Sequence, residues 1–93
     1  MELPINYDGS HWKVRSKARD EYVILQKGLC YHCGGSLSCD PPEDITELKI
    51  NWDLFPPNFL KHPVHLHHDH KTSMTIGAVH SYCNAVLWQY HGE

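Results

Sequence analysis

The run Cys30-Tyr31-His32-Cys33-Gly34-Gly35 constrains this chain more than any other feature. With 93 residues, a polypeptide buries only roughly 60–65% of the surface it exposes when unfolded, so an apolar core alone is marginal and a staple is expected. Four cysteines (Cys30, Cys33, Cys39 and Cys83) and nine histidines are available to make one. In a reducing compartment a C-x-x-C pair does redox work or holds a metal. The redox use needs the pair at a helix N-terminus after a strand. Here Gly34-Gly35 follows, a tight turn, and the reading is half of a zinc knuckle.

The hydrophobic content of 41% argues for one folded domain, 1–93, rather than disorder. Eight Lys+Arg against 11 Asp+Glu leave a formal charge of -3, which removes the argument from a globally basic chain for nucleic-acid binding. No apolar run approaches the ~18 residues of a membrane span, and Met-Glu-Leu-Pro is not a basic leader. The expectation is a cytoplasmic protein with no membrane partner.

Along the chain, residues 1–9 read as an irregular lead. Ser10 is placed to cap a helix within 10–28, from about Trp12 to Lys27, with Val14, Ala18, Tyr22 and Leu25 on one face and Gly28 as its stop. Lys13, Arg15, Lys17 and Arg19 form the other face, either solvated or in contact with phosphate. The knuckle occupies 29–35. Residues 36–62 form a long connection in which Leu48–Trp52 suits a short strand or a helical turn equally. Val64-His65-Leu66-His67-His68 alternates with period two and predicts a strand, and Ile76–His80 predicts a second that pairs back. A last helix is expected from Ser81 to Tyr90, with Gly92 beyond its end. Cys83, Val86, Leu87 and Tyr90 would face inward, and Asn84, Trp88 and His91 would form the adjacent face. The fold class is α+β.

The stretch from His65 to Asn84 (His-Leu-His-His-Asp-His-Lys-Thr, four residues, Gly77, two residues, His80, two residues, Cys83-Asn84) resembles the HNH, or ββα-metal, nucleases. Among these it is most similar to the recombination endonuclease VII group, whose pattern runs H-x-D-H-D-H, a turn, then G-x-x-C-x-x-C-N. The spacing aligns without a gap, and the likeness covers about residues 22–91, with 36–62 unmatched in detail. It implies a ββα-metal core pinned by a zinc knuckle, within 63–92 and 29–35, and a metal-dependent DNA endonuclease.

Residue by residue, the likeness puts Cys30, Cys33 and Cys83 on three zinc cysteines and His80 on the fourth ligand, with Cys39 as the alternative fourth. It puts His68 on the general base, and His67 and Asn84 on the ligands of a catalytic divalent metal. His91 is a further candidate ligand, lying on the same helix side as Asn84. A two-residue shift would substitute Asp69 and His70 for His67 and His68. His67 stands where the family has Asp, which favours Mn²⁺, Co²⁺ or Ni²⁺ over Mg²⁺. Gly77 lies near where many relatives carry a central Asn, so no side chain there explains how the base is oriented.

These residue types suit phosphodiester hydrolysis. An imidazole with a pKa near 6.5 deprotonates water near neutral pH, and a divalent ion neutralises charge growing on phosphate. The family implies products with a 5′-phosphate and a 3′-hydroxyl. At -3, DNA must be held by local contacts, largely independent of sequence and sensitive to salt. A homodimer is left open. The alternative function is a non-catalytic, zinc-stapled module that binds nucleic acid or protein.

Overall fold

In the computed structural model, which describes residues 1–92 and leaves Glu93, the last residue of the expected domain, outside the described residues, helix α1 spans Trp12–Leu25 and a single turn, α2, spans Glu43–Thr46. Strands β1 (Val64–His68) and β2 (Thr75–His80) follow, and helix α3 (Ser81–His91) closes the order. The class is α+β, with an antiparallel hairpin running directly into a helix.

Helix α1 starts and stops close to the expected limits, with a different cap. His11 accepts from the Lys13 N–H at 3.2 Å, while Ser10 donates its hydroxyl to the Asn6 carbonyl. Beyond Leu25 the chain turns through positive φ at Lys27 and Gly28, and the Gly28 N–H reaches back to the Val23 carbonyl at 2.8 Å, the glycine-assisted stop expected there. The buried stripe is narrower than expected. Ala18 is fully buried and Tyr22 half-buried, but Val14 and Leu25 are exposed. Arg15 and Arg19, four residues apart and so on one face, are half-buried, whereas Lys13 and Lys17 are exposed. The basic residues therefore divide between two faces.

The lead is not irregular throughout. Ile5 and Thr75 exchange hydrogen bonds, Tyr7 N–H donates to Ser73 O at 2.7 Å, and Asn6 bridges Met74. Farther along β2, Gln26 treats Ala78 as a strand would. Its amide oxygen accepts from Ala78 N–H at 2.9 Å and its amide nitrogen donates to Ala78 O at 2.9 Å, where Tyr31 N–H also donates. The outer edge of the hairpin is thus satisfied by the lead and by the end of α1, which removes an edge prone to mispairing. A register irregularity falls between His67 and His68: His67 pairs with Gly77, His68 with Thr75.

Segment 36–62 contains α2 and a 3₁₀ turn over Trp52–Leu54; Leu48–Trp52 is neither a strand nor an α-helical turn. Side chains of α3 hold this segment by its backbone. Tyr82 donates to the carbonyls of Thr46 and Leu48, and Gln89 and Tyr90 donate to that of Lys49. Tyr90 is therefore on the surface rather than facing inward, at 49% exposure. The core itself is small: among the described residues Cys30, Leu37, Ala78, Val79, Cys83 and Leu87 form one cluster, with Tyr22, Val23, Cys33, Ile45 and Val64 against it, and Ala18, Ala85 and Val86 are buried beside them.

Gly77 has a reason to lack a side chain. A Cβ there would sit 2.8 Å from Gln26 Oε1 and 3.1 Å from Tyr31 Cβ, both fixed by their bonds to Ala78. Gly77→Ala should lower stability by about 1–3 kcal/mol, as overpacking does. Denaturant midpoints at saturating metal check this, and an unchanged midpoint would contradict the close approach.

Candidate functional site

Two turns of backbone meet one strand–helix junction. Leu29 bridges Ser36 and the Cys30 N–H donates to Gly35 O, which closes the knuckle loop. His80 ends β2 and Cys83 lies in the first turn of α3. The sulfur atoms of Cys30, Cys33 and Cys83 and one ring nitrogen of His80 all lie within 4.8 Å of one another. His80 Nδ1 is 3.4 Å from Cys33 Sγ and 3.6 Å from Cys83 Sγ.

The donor set fits zinc. With Zn–S bonds of about 2.3 Å, tetrahedral ligands stand about 3.8 Å apart, within the observed spread. His80 Nε2 donates to the carbonyls of Ser36 (2.8 Å) and Cys39 (2.9 Å). Those two acceptors fix the tautomer that leaves the Nδ1 lone pair facing the thiols, the outer support that metal-bound histidines use. Backbone N–H groups of Gly35 and His80 donate to Cys33 Sγ and Cys30 Sγ. The choice between His80 and Cys39 is thereby settled for His80: Cys39 is exposed, and it contributes its carbonyl rather than its thiol.

The thiols are unequal. The Cys83 S–H and nearby backbone donors hold the Cys30 thiol down to about 4. Cys83, facing that thiolate and buried, is pushed far above the ordinary thiol range, and burial also raises Cys33. The three thiols share one environment, and the backbone donors around Cys30 favour a thiolate there.

The second group lines a cleft of about 1060 Å³ between α1, the 36–62 segment, β1 and α3. His65, His68, His70 and Asn84 line it beside Arg15 and Arg19. Asn84 Nδ2 donates to His65 Nδ1 at 3.1 Å. Burial lowers the His65 pKa, against hydrogen bonding to the Phe59 backbone, so this imidazole is a neutral bridge that leaves Asn84 its amide oxygen. His68 stacks on Tyr7, with centroids 3.9 Å apart and planes 7° apart, and lies 5.0 Å from His70. Burial and the charge of His70 lower the His68 pKa, against the pull of Asp8. The Arg15 guanidinium lies 4.1 Å over the other face of Tyr7 and its Nε donates to Tyr7 O at 2.7 Å.

Asn84, expected beside His67, is hydrogen-bonded to His65. His67 is 3% exposed and is not among the residues that line the cleft. Helix α3 begins at the His80 end of the hairpin and runs back toward the turn, as Trp88 near His70 shows. Four helical residues advance about 6 Å, which is two strand residues. From the His80–Val64 pair, Asn84 arrives level with Leu66, between His65 and His67, and its amide nitrogen donates to His65. The same arithmetic takes His91 about 10 Å beyond Asn84, to an edge contact with His32, away from the cleft it was a candidate to join. Asp69 is a turn-former. It accepts from the N–H groups of Lys71 (2.7 Å) and Thr72 (3.1 Å), which hold its carboxyl below the usual range. Sequence reading missed Tyr7, whose place comes from a long-range pairing with no local pattern.

Comparison with protein families, with curated proteins and with solved structures finds no match. Among the described residues, no helix is long and apolar enough to cross a membrane.

Zinc uptake should release protons from the thiols of the cluster, so affinity should rise with pH through the neutral range. Competition titrations at several pH values measure this; a pH-independent affinity would contradict the thiol assignment. One zinc per chain should persist in Cys39→Ser and be lost in His80→Ala, as read by metal analysis of the purified variants.

Proposed function

We propose that the chain is a metal-dependent DNA endonuclease built on a ββα-metal core. The observation that carries this reading is the cleft: a stacked imidazole of lowered pKa, His68, and a bridged carboxamide, Asn84, lie in one recess with two arginines. Arg15 and Arg19 supply cationic donors for phosphate oxygens. His68, neutral around and below an imidazole's ordinary pKa, accepts the proton of the attacking water. Its ring plane is set by Tyr7 and, through Tyr7, by Arg15. As water oxygen bonds to phosphorus the bond to the 3′ oxygen breaks, leaving a 5′-phosphate and a 3′-hydroxyl.

Asn84 Oδ1 would hold the catalytic cation, with His65 as the positioning residue behind it. The cation supplies neutralisation of charge developing on the phosphate. His67 is not among the residues that line the cleft, so this reading rests the cation on Asn84 and requires no preference for a transition metal. An oxygen ligand with water suits Mg²⁺ and Mn²⁺ alike.

Supercoiled plasmid with Mn²⁺, with and without EDTA, tests the function. Wild type should nick it only with metal, and His68→Ala should be slower by roughly 10²–10⁴-fold. Because the His68 pKa is lowered and only the neutral ring accepts a proton, the rate should rise with pH and reach half its plateau below pH 6.5. Asn84→Ala should need more Mn²⁺ and be partly rescued by it, whereas no metal concentration should rescue His68→Ala. A His68→Ala protein cutting at the wild-type rate would refute the base assignment. A wild-type protein that binds DNA but never cuts would favour the non-catalytic module.

A further inference from the structure

The walls of the cleft carry more than the proposed hydrolysis uses. Trp12 on α1 and Trp88 on α3 both line it, and both are solvent-exposed, at 66% and 43%. Phe55 braces Trp88 edge-on at 5.7 Å, and Phe59 packs against Phe55 at 4.6 Å. Trp88 is thus held from behind while its indole still meets solvent. An aromatic surface left open in a chain so short of core material is surface withheld from folding.

Charge points the same way. Asp8 is the carboxylate among the lining residues and Arg19 also pairs with Asp20 at its edge, which leaves Arg15 as the cation facing the recess with its guanidinium stacked on Tyr7. The acidic residues Asp40 and Glu43 line a separate pocket beside His80. The cleft volume, about 1060 Å³, lies at the upper limit of ordinary small-ligand pockets, about 300–1,000 Å³, and suits a segment of polymer better than one small molecule.

A cationic groove with aromatic walls is the arrangement that binds unpaired strands: arginines follow the phosphates while bases stack on the rings. A duplex keeps its bases stacked on one another and offers the rings nothing. Resting on the nuclease reading for the identity of the polymer, we propose that the cleft takes single-stranded DNA, with a base stacked on Trp88 and another on Trp12, in preference to duplex.

The test is fluorescence anisotropy with zinc-loaded His68→Ala protein, which does not consume its ligand. The probes are a labelled oligothymidine, the same strand in a duplex, and an abasic deoxyribose-phosphate strand of equal length. The single strand should bind about tenfold or more tighter than either of the others, and should quench tryptophan emission. Adding Trp88→Ala should cost about tenfold on the single strand and little on the duplex. Adding Trp12→Ala, at an exposed helix position that folding does not need, should act in the same direction. Equal affinity for duplex and single strand, or for abasic and base-bearing strands, would overturn the proposal. A wild-type protein that nicks plasmid yet shows such equality keeps the nuclease reading and loses this one. Tight, base-dependent binding by a protein that never cuts does the reverse.

Discussion

The structure depends on one contact, the meeting of three thiols and an imidazole where the knuckle touches the strand–helix junction. Cys30 and Cys83 are both candidate metal ligands and core residues, almost wholly removed from solvent, so the centre of the apolar cluster is also the centre of the candidate metal site. Ligation in small zinc domains contributes on the order of 10 kcal/mol, as much as the whole net stability of an ordinary domain, about 5–15 kcal/mol. A core of nine buried apolar residues among those described, three of them alanine and none larger than leucine, does not reach that by itself. The cluster also sets geometry. It fixes His80 against the Ser36 and Cys39 carbonyls, and with it the point from which α3 departs.

Everything in the cleft is measured from that departure point. Asn84 comes level with Leu66, where it bonds His65, because α3 starts beside Val64, and Trp88 reaches His70 because the helix continues along the hairpin. From the other side the lead adds Tyr7, so that Arg15, Tyr7, His68, His70 and Trp88 form a chain of neighbouring planar groups across the recess. The hairpin carries the imidazoles, but three other segments orient them. That division explains how a chain with few buried apolar side chains holds a histidine ring to within 7° of a tyrosine.

Much of this was legible in the residues. Helix α1 begins at Trp12 as its pattern indicates, the two strands follow the alternation in Val64–His68 and the run to His80, and α3 ends before Gly92. The ligand set of the cluster follows from C-x-x-C and H-x-x-C spacing. What was not legible has a common cause: it rests on contacts without a period. Segment 36–62 is held by side chains of α3 reaching its carbonyls, which leave no mark on its own sequence. Gln26, which completes the edge of β2, looks like any polar residue at a helix end. His65 and His67 are equivalent in an alternating pattern, which carries no sign of which imidazole the Asn84 amide bonds.

The central claim is that the cluster organises the cleft as well as its own surroundings. The direct measurement is the amide ¹H–¹⁵N correlation spectrum with zinc bound and after its removal by a chelator. The account predicts that dispersion collapses over the whole chain on zinc removal, including Tyr7, His68 and Asn84, and returns when zinc is restored. A zinc-free protein that keeps dispersed signals for those three residues would contradict it, because the cleft would then stand without the contact from which its geometry is argued to follow.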